Sequence, residues 1–143
     1  MAKRICSAKI ACIDLVTTVA LFIPIAAAAI GTTTALKLSV SPNDSGEPAN
    51  VVRLKQNATF TATVQTATKP AVLVSVGSVD FLVDGVKVAT GVTLKSGQAT
   101  YTTKALSLGK HTIKANYSGF CGGGICLSAS SNSFVVRREP KPH

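Results

Sequence analysis

The chain has no tryptophan, one methionine and only seven aromatic residues, two Tyr and five Phe, so aromatics make up 5% of its 143 residues. Without interleaved exposed rings there is no stacking platform for nucleic-acid bases, and the missing indoles weaken a sugar-stacking lectin. Acids are scarce too, with six Asp+Glu against 15 Lys+Arg and a formal net charge of +9. So few carboxylates do not furnish a calcium shell: Asp80 and Asp84 share a strand but stand too far apart to close on one ion. Only two histidines occur, His111 and His143, and neither has zinc-ligand spacing. A G-x-S-x-G nucleophile turn is missing, and no paired acids accompany His111. Read alone, His111 is a hydrogen-bonded histidine at a corner between sheets. No enzyme activity, metal or cofactor is expected. Apolar period 3.6 is absent beyond the N-terminus, and no segment repeats.

The first 30 residues differ from the rest. Lys3, Arg4 and Lys9 form a basic start, residues 15–23 are an apolar run, Pro24 breaks it, and Ala26 to Ala29 offer small residues for cleavage. This is the pattern of an export signal, cut after Ala28 or Ala29. An uncleaved membrane anchor is the rival reading. The apolar stretch over residues 15–30 falls short of the roughly 20 residues that a spanning helix needs. Cys12 precedes the apolar run, which argues against a lipidated cysteine. Removal of residues 1–29 leaves 12 Lys+Arg and five Asp+Glu, a net +7. The expected organisation is a signal peptide over 1–29, one β domain over 30–136 and a basic, proline-containing tail over 137–143.

From Thr32 onward the apolar period is two. Leu36, Leu38 and Val40 alternate with Lys37, Ser39 and Ser41, and Ala58, Phe60, Ala62 and Val64 alternate with Thr59, Thr61, Thr63 and Gln65. These are half-buried strands. Val79, Phe81 and Val83 run into Asp84-Gly85, a pair that accepts the positive φ of a two-residue hairpin turn, and Val86 and Val88 follow. Residues 97–119 carry two more alternating strands around Leu106, Leu108 and Gly109, where the chain crosses between sheets over a leucine plug; Ser133 to Arg138 is the last strand. Val51, Val52 and Leu54 form either a short strand or part of the rim. Residues 69–77 are a loop, a bulge or an edge strand. About seven short strands with turns every 8 to 12 residues predict an all-β, two-sheet antiparallel sandwich.

Residues 97–119 (GQATYTTKALSLGKHTIKANYSG), together with Thr32-Thr33-Thr34, Thr59-Phe60-Thr61-Ala62-Thr63-Val64 and Gly77-Ser78-Val79-Asp80-Phe81 with Asp84-Gly85, resemble bacterial immunoglobulin-like repeat domains. The resemblance spans nearly the whole chain after the leader. It implies an immunoglobulin-like sandwich that serves as a non-catalytic spacer or adhesion module in exported, surface or periplasmic proteins. The chain departs from that pattern at Leu54-Lys55-Gln56, where such repeats carry a glycine-containing turn, and in the loop after Gly119, which holds two cysteines.

That loop reads Phe120-Cys121-Gly122-Gly123-Gly124-Ile125-Cys126. Two cysteines with three flexible glycines between them, in an exported chain, close a small ring, so a Cys121–Cys126 disulfide is expected. A binding role, against a cell-surface protein or polysaccharide, would use this loop and the Asp84-Gly85 turn. The Lys and Arg residues are scattered along the sequence and read as a solvated surface that protects strand edges. An alternative function is attraction to anionic envelope polymers, fading with salt. Another is that the chain is a fragment of a longer repeat protein. Membrane contact is expected only through an uncleaved leader.

Overall fold

The structure is a computed structural model that describes residues 28–42, 46 and 48–141. The expected signal helix therefore lies outside the described residues. Ten strands follow in chain order: β1 (Thr32–Ser41), β2 (Val51–Arg53), β3 (Asn57–Thr66), β4 (Ser78–Val83), β5 (Val86–Thr93), β6 (Gln98–Thr103), β7 (Gly109–Tyr117), β8 (Phe120–Gly122), β9 (Ile125–Leu127) and β10 (Ser130–Glu139). One sheet has the order β1-β3-β6, the other β2-β10-β7-β4-β5, and β8 and β9 form a separate hairpin.

Two-residue alternation decides which face of each strand is dry. In β3 the inward residues Ala58, Phe60, Ala62 and Val64 are fully buried, and in β7 Ile113, Ala115 and Tyr117 answer them from the other sheet. Phe81 of β4 is fully buried in the same core. Tyr101 of β6, half-buried, stacks against both Phe60 (centroids 6.5 Å apart) and Phe81 (5.8 Å). Burial of each large apolar side chain stabilises by about 1.5–3 kcal/mol, so these few rings and the aliphatics around them carry the core.

The register defines two poles. At the N-pole the chain runs into β1: Thr32 pairs with Thr66, and its hydroxyl donates to the Ser128 carbonyl (2.7 Å), tying the first sheet to the start of β10. At the C-pole β10 ends beside β2: Leu54 N–H donates to the Glu139 carbonyl (3.1 Å), and the Arg138 guanidinium donates to the Lys104 carbonyl. Both β1 and β10 run from the N-pole to the C-pole.

Two features depart from the sequence expectation. Among the described residues there are ten strands instead of about seven, because β2 forms and because the cysteine loop is itself a hairpin. The β2–β10 pairing is parallel, with Arg137 opposite Val51 and Glu139 opposite Arg53. That pairing carries β10 through Glu139, so Arg137 and Arg138 belong to the sheet and not to the tail. The crossing between sheets expected at the leucine plug is found: β6 and β7 lie in different sheets, and the crossover between them buries Leu106 and exposes Leu108. Residues 69–77 form a loop stitched to the end of β3 by a single bridge, Gln65 to Leu73, with Val74 buried beneath it.

Lys55 explains the unusual Leu54-Lys55-Gln56 turn. It takes φ 73°, the left-handed conformation in which a glycine is usually found. The turn closes through the buried Gln56, whose side chain accepts from Arg53 N–H (2.6 Å) and donates to the Pro42 carbonyl (2.9 Å). Lys55→Gly is therefore expected to raise stability by about 0.5–1 kcal/mol, read as a higher urea midpoint with an unchanged slope.

Candidate functional site

The clipped hairpin sits at the N-pole. Gly123 (φ 60°) and Gly124 (φ 83°) form its two-residue turn, a backbone that side chains other than glycine resist, which is why the triple glycine folds into a hairpin. Cys121 and Cys126 face each other across the two strands, their Cα atoms 4.1 Å apart, and are joined by the expected disulfide. Leu127 is buried in the core and Phe120 packs against it, so the hairpin has an apolar root, while Ile125 at its tip is half exposed. The hairpin also holds the start of the domain: Ile30 N–H donates to the Cys126 carbonyl (2.8 Å), and Ser128 N–H donates to the Ile30 carbonyl (2.9 Å). At the base of the hairpin, Asn116, Tyr117, Ala129, Ser130 and Ser131 line an open cleft of about 310 Å³. Among the described residues the buried Asn116 Oδ1 has no hydrogen-bond partner.

The Asp84-Gly85 turn lies at the opposite pole. Asp84 (φ 51°) and Gly85 (φ 85°) close the β4–β5 hairpin, and the Asp84 carboxylate reaches β7. Its Oδ1 accepts from Thr112 N–H (2.7 Å), and its Oδ2 lies 2.7 Å from His111 Nδ1. The other ring nitrogen, Nε2, is 2.8 Å from the Ser107 carbonyl and 3.2 Å from the Ser107 hydroxyl. Aspartate, histidine and serine thus converge as they do in hydrolytic triads.

The protonation pattern differs from that of a triad. The Ser107 carbonyl and the Asp84 carboxylate only accept, so both ring contacts are satisfied together when Nε2 and Nδ1 each carry a proton. In that doubly protonated form His111 lacks the lone pair that a general base requires. The hydrogen bond from Asp84 raises the His111 pKa above the ordinary 6.5, with the Ser107 carbonyl acting in the same direction and burial and the nearby Arg138 opposing. The same bond holds the Asp84 pKa below 3.8. His111 is an inter-sheet corner residue, as its place between the leucine plug and β7 suggested. What sequence did not give was its partners, because Asp84 is 27 residues away.

The candidate binding residues therefore divide. Phe120, Cys121, Gly122, Gly123, Gly124, Ile125 and Cys126 cluster at the N-pole, whereas Asp84 and Gly85 are at the C-pole, and no single surface contains both sets. Asp80, near Asp84 in sequence, points to different partners. Its carboxylate pairs with Lys87 (2.8 Å) and accepts from Gly91 N–H (2.8 Å), and the Lys87 hydrogen bond lowers its pKa below 3.8.

The sequence profile of a family described as bacterial Ig-like domain (group 3) matches residues 45–136, well over half of the chain. Comparison with curated proteins and with solved structures yields no match.

Two outcomes test the geometry of the poles. The raised His111 pKa gives stability that is complete below about pH 6.5 and lost as pH climbs through the folded value, while the lowered Asp84 pKa gives stability that is lost only in acid. The melting temperature is expected to fall as pH rises above about 6.5, and His111→Gln is expected to flatten that limb. For the hairpin, the short ring predicts a loss of about 2 kcal/mol in C121S/C126S, with faster amide exchange at Ile30 and Ser128 and an unchanged far-ultraviolet spectrum.

Proposed function

Because this chain belongs to the bacterial Ig-like domain family, whose members are generally non-catalytic modules typical of exported and surface proteins, we propose that it is an exported structural spacer at the cell surface or outside the cell. The observation that carries this reading is the separation of its ends. The chain joins β1 at the N-pole and leaves β10 at the C-pole, with a full-length strand between them. Ten residues at about 3.3 Å each make that distance roughly 30 Å. A sandwich that takes in the chain at one pole and releases it at the other adds its length to whatever it connects. The basic, then apolar, then small-residue pattern of residues 1–29 supports export.

A second reading, adhesion to a surface protein or polysaccharide, is favoured by the N-pole hairpin. Ile125 is presented on a covalently closed, core-rooted hairpin beside the cleft that holds the unpartnered Asn116 oxygen.

Fractionation of the producing cell, with an epitope placed after His143, is expected to recover the chain outside the cytoplasm; a purely cytoplasmic protein ends the export reading. Insertion of the domain between a surface anchor and an epitope is expected to increase antibody access to that epitope, and unchanged access overturns the spacer role. In the adhesion reading, C121S/C126S loses retention on envelope material while keeping its fold, and undiminished retention removes the hairpin from that role.

A further inference from the structure

Lys55, Lys104, Lys110 and Lys141, far apart in sequence, come together with Arg53 and Arg138 at the C-pole, and three of its loop tips expose aliphatic side chains. We propose that this pole docks onto an anionic lipid bilayer. The turn after β2 presents Leu54, 41% exposed, next to Lys55; the turn before β5 presents Val86, 66% exposed; and the β6–β7 crossover presents Leu108, 58% exposed, between Lys104 and Lys110. Lys141, beyond β10, is exposed at the same pole.

Charge at this pole is unbalanced. Among the described residues the acids here are Asp84, held by His111, and Glu139, held by Arg53 and Arg137. Lys55, Lys104, Lys110 and Lys141 have no acidic partner among the described residues. Asp44 and Glu47 lie outside those residues, and the whole chain still carries +9 with them counted.

The loop tips are held together before any ligand arrives. Leu54 N–H donates to the Glu139 carbonyl, Arg138 to the Lys104 carbonyl, and His111 joins the Asp84 turn to Ser107 in the crossover. Little ordering entropy is therefore left to lose on contact.

The aliphatic tips choose the partner. A soluble polyanion would satisfy the lysines and leave Leu54, Val86 and Leu108 in water. An anionic bilayer accommodates both groups, with ammonium groups at the phosphates and short aliphatic side chains just beneath them. The N-pole also exposes aliphatic residues, Val72 and Leu73 among them, but among the described residues only Lys69 and Lys95 lie near it, so it serves as the internal control.

The test is cosedimentation of the full chain with vesicles of phosphatidylcholine alone or with roughly a third phosphatidylglycerol. Binding is expected to be at least about tenfold tighter to the anionic vesicles and to weaken as salt is raised. K55Q/K104Q/K110Q/K141Q is expected to lose at least about tenfold, and K37Q/K69Q/K95Q/K114Q, which removes the same charge elsewhere, less than about threefold. L54S/L108S is expected to lose several-fold on vesicles and nothing on soluble polyphosphate, with V72S/L73S unchanged; thermal melts confirm that each variant is folded. Equal losses from the two lysine sets overturn the localisation to this pole. Equal binding to neutral and anionic vesicles, or L54S/L108S binding like the parent, overturns the bilayer as partner. The spacer reading is tested by epitope access and does not depend on these outcomes.

Discussion

Close approach of two sheets through small side chains is the constraint on which the remaining structure depends. With seven aromatic residues in 143, the core has few large groups, and its central strands alternate alanine with one ring or one branched residue. Ala58, Ala62, Ala99 and Ala115 let the sheets come together, and Phe60, Phe81, Tyr101 and Tyr117 fill the space that is left. Tyr117 also settles its polar end, donating to the Val76 carbonyl at 3.0 Å, while burial raises the pKa of its phenol. Its ring lies so close to Gly77 that an added Cβ there would meet it at 2.7 Å, which fixes the start of β4 against the end of β7.

Because the core is assembled from alternating strands, much of it was legible beforehand. Phe60, Phe81, Ile113 and Val136 all face inward in a period-two pattern that needs no tertiary information. Leu106 was readable as a plug because it is an apolar residue in a turn-rich crossover. The parts that escaped are those set by distant partners. Three residues of β2 carry too little pattern to announce a parallel pairing with β10, 86 residues further on. His111 and Asp84 each have a sufficient local explanation, as a strand residue and as a turn residue, so neither advertises the bond between them. The glycines around Gly123 read as flexibility, whereas two positive φ values in succession turn them into a defined hairpin.

Charge is the clearest case of information that only folding reveals. Lysines separated by dozens of residues in sequence share a pole because every second turn of an antiparallel sandwich returns to the same end. The three acids among the described residues are each consumed by a neighbouring cation or by His111, which leaves the remaining lysines without internal compensation. The same alternation of ends separates the disulfide-closed hairpin from the Asp84 turn and gives the two poles different chemistry: one apolar and covalently stapled, the other cationic and knitted by side-chain to backbone hydrogen bonds.

The parallel direction of β1 and β10, in opposite sheets, has a mechanical consequence. Tension applied to the two ends of the domain draws β1 along β3 and β10 along β7 in the direction of the strands themselves. The ten residue pairs that join β1 to β3, and the nine that join β10 to β7, then resist sliding together and cannot be unzipped one at a time. Ile30, held by the stapled hairpin ahead of β1, receives that tension first.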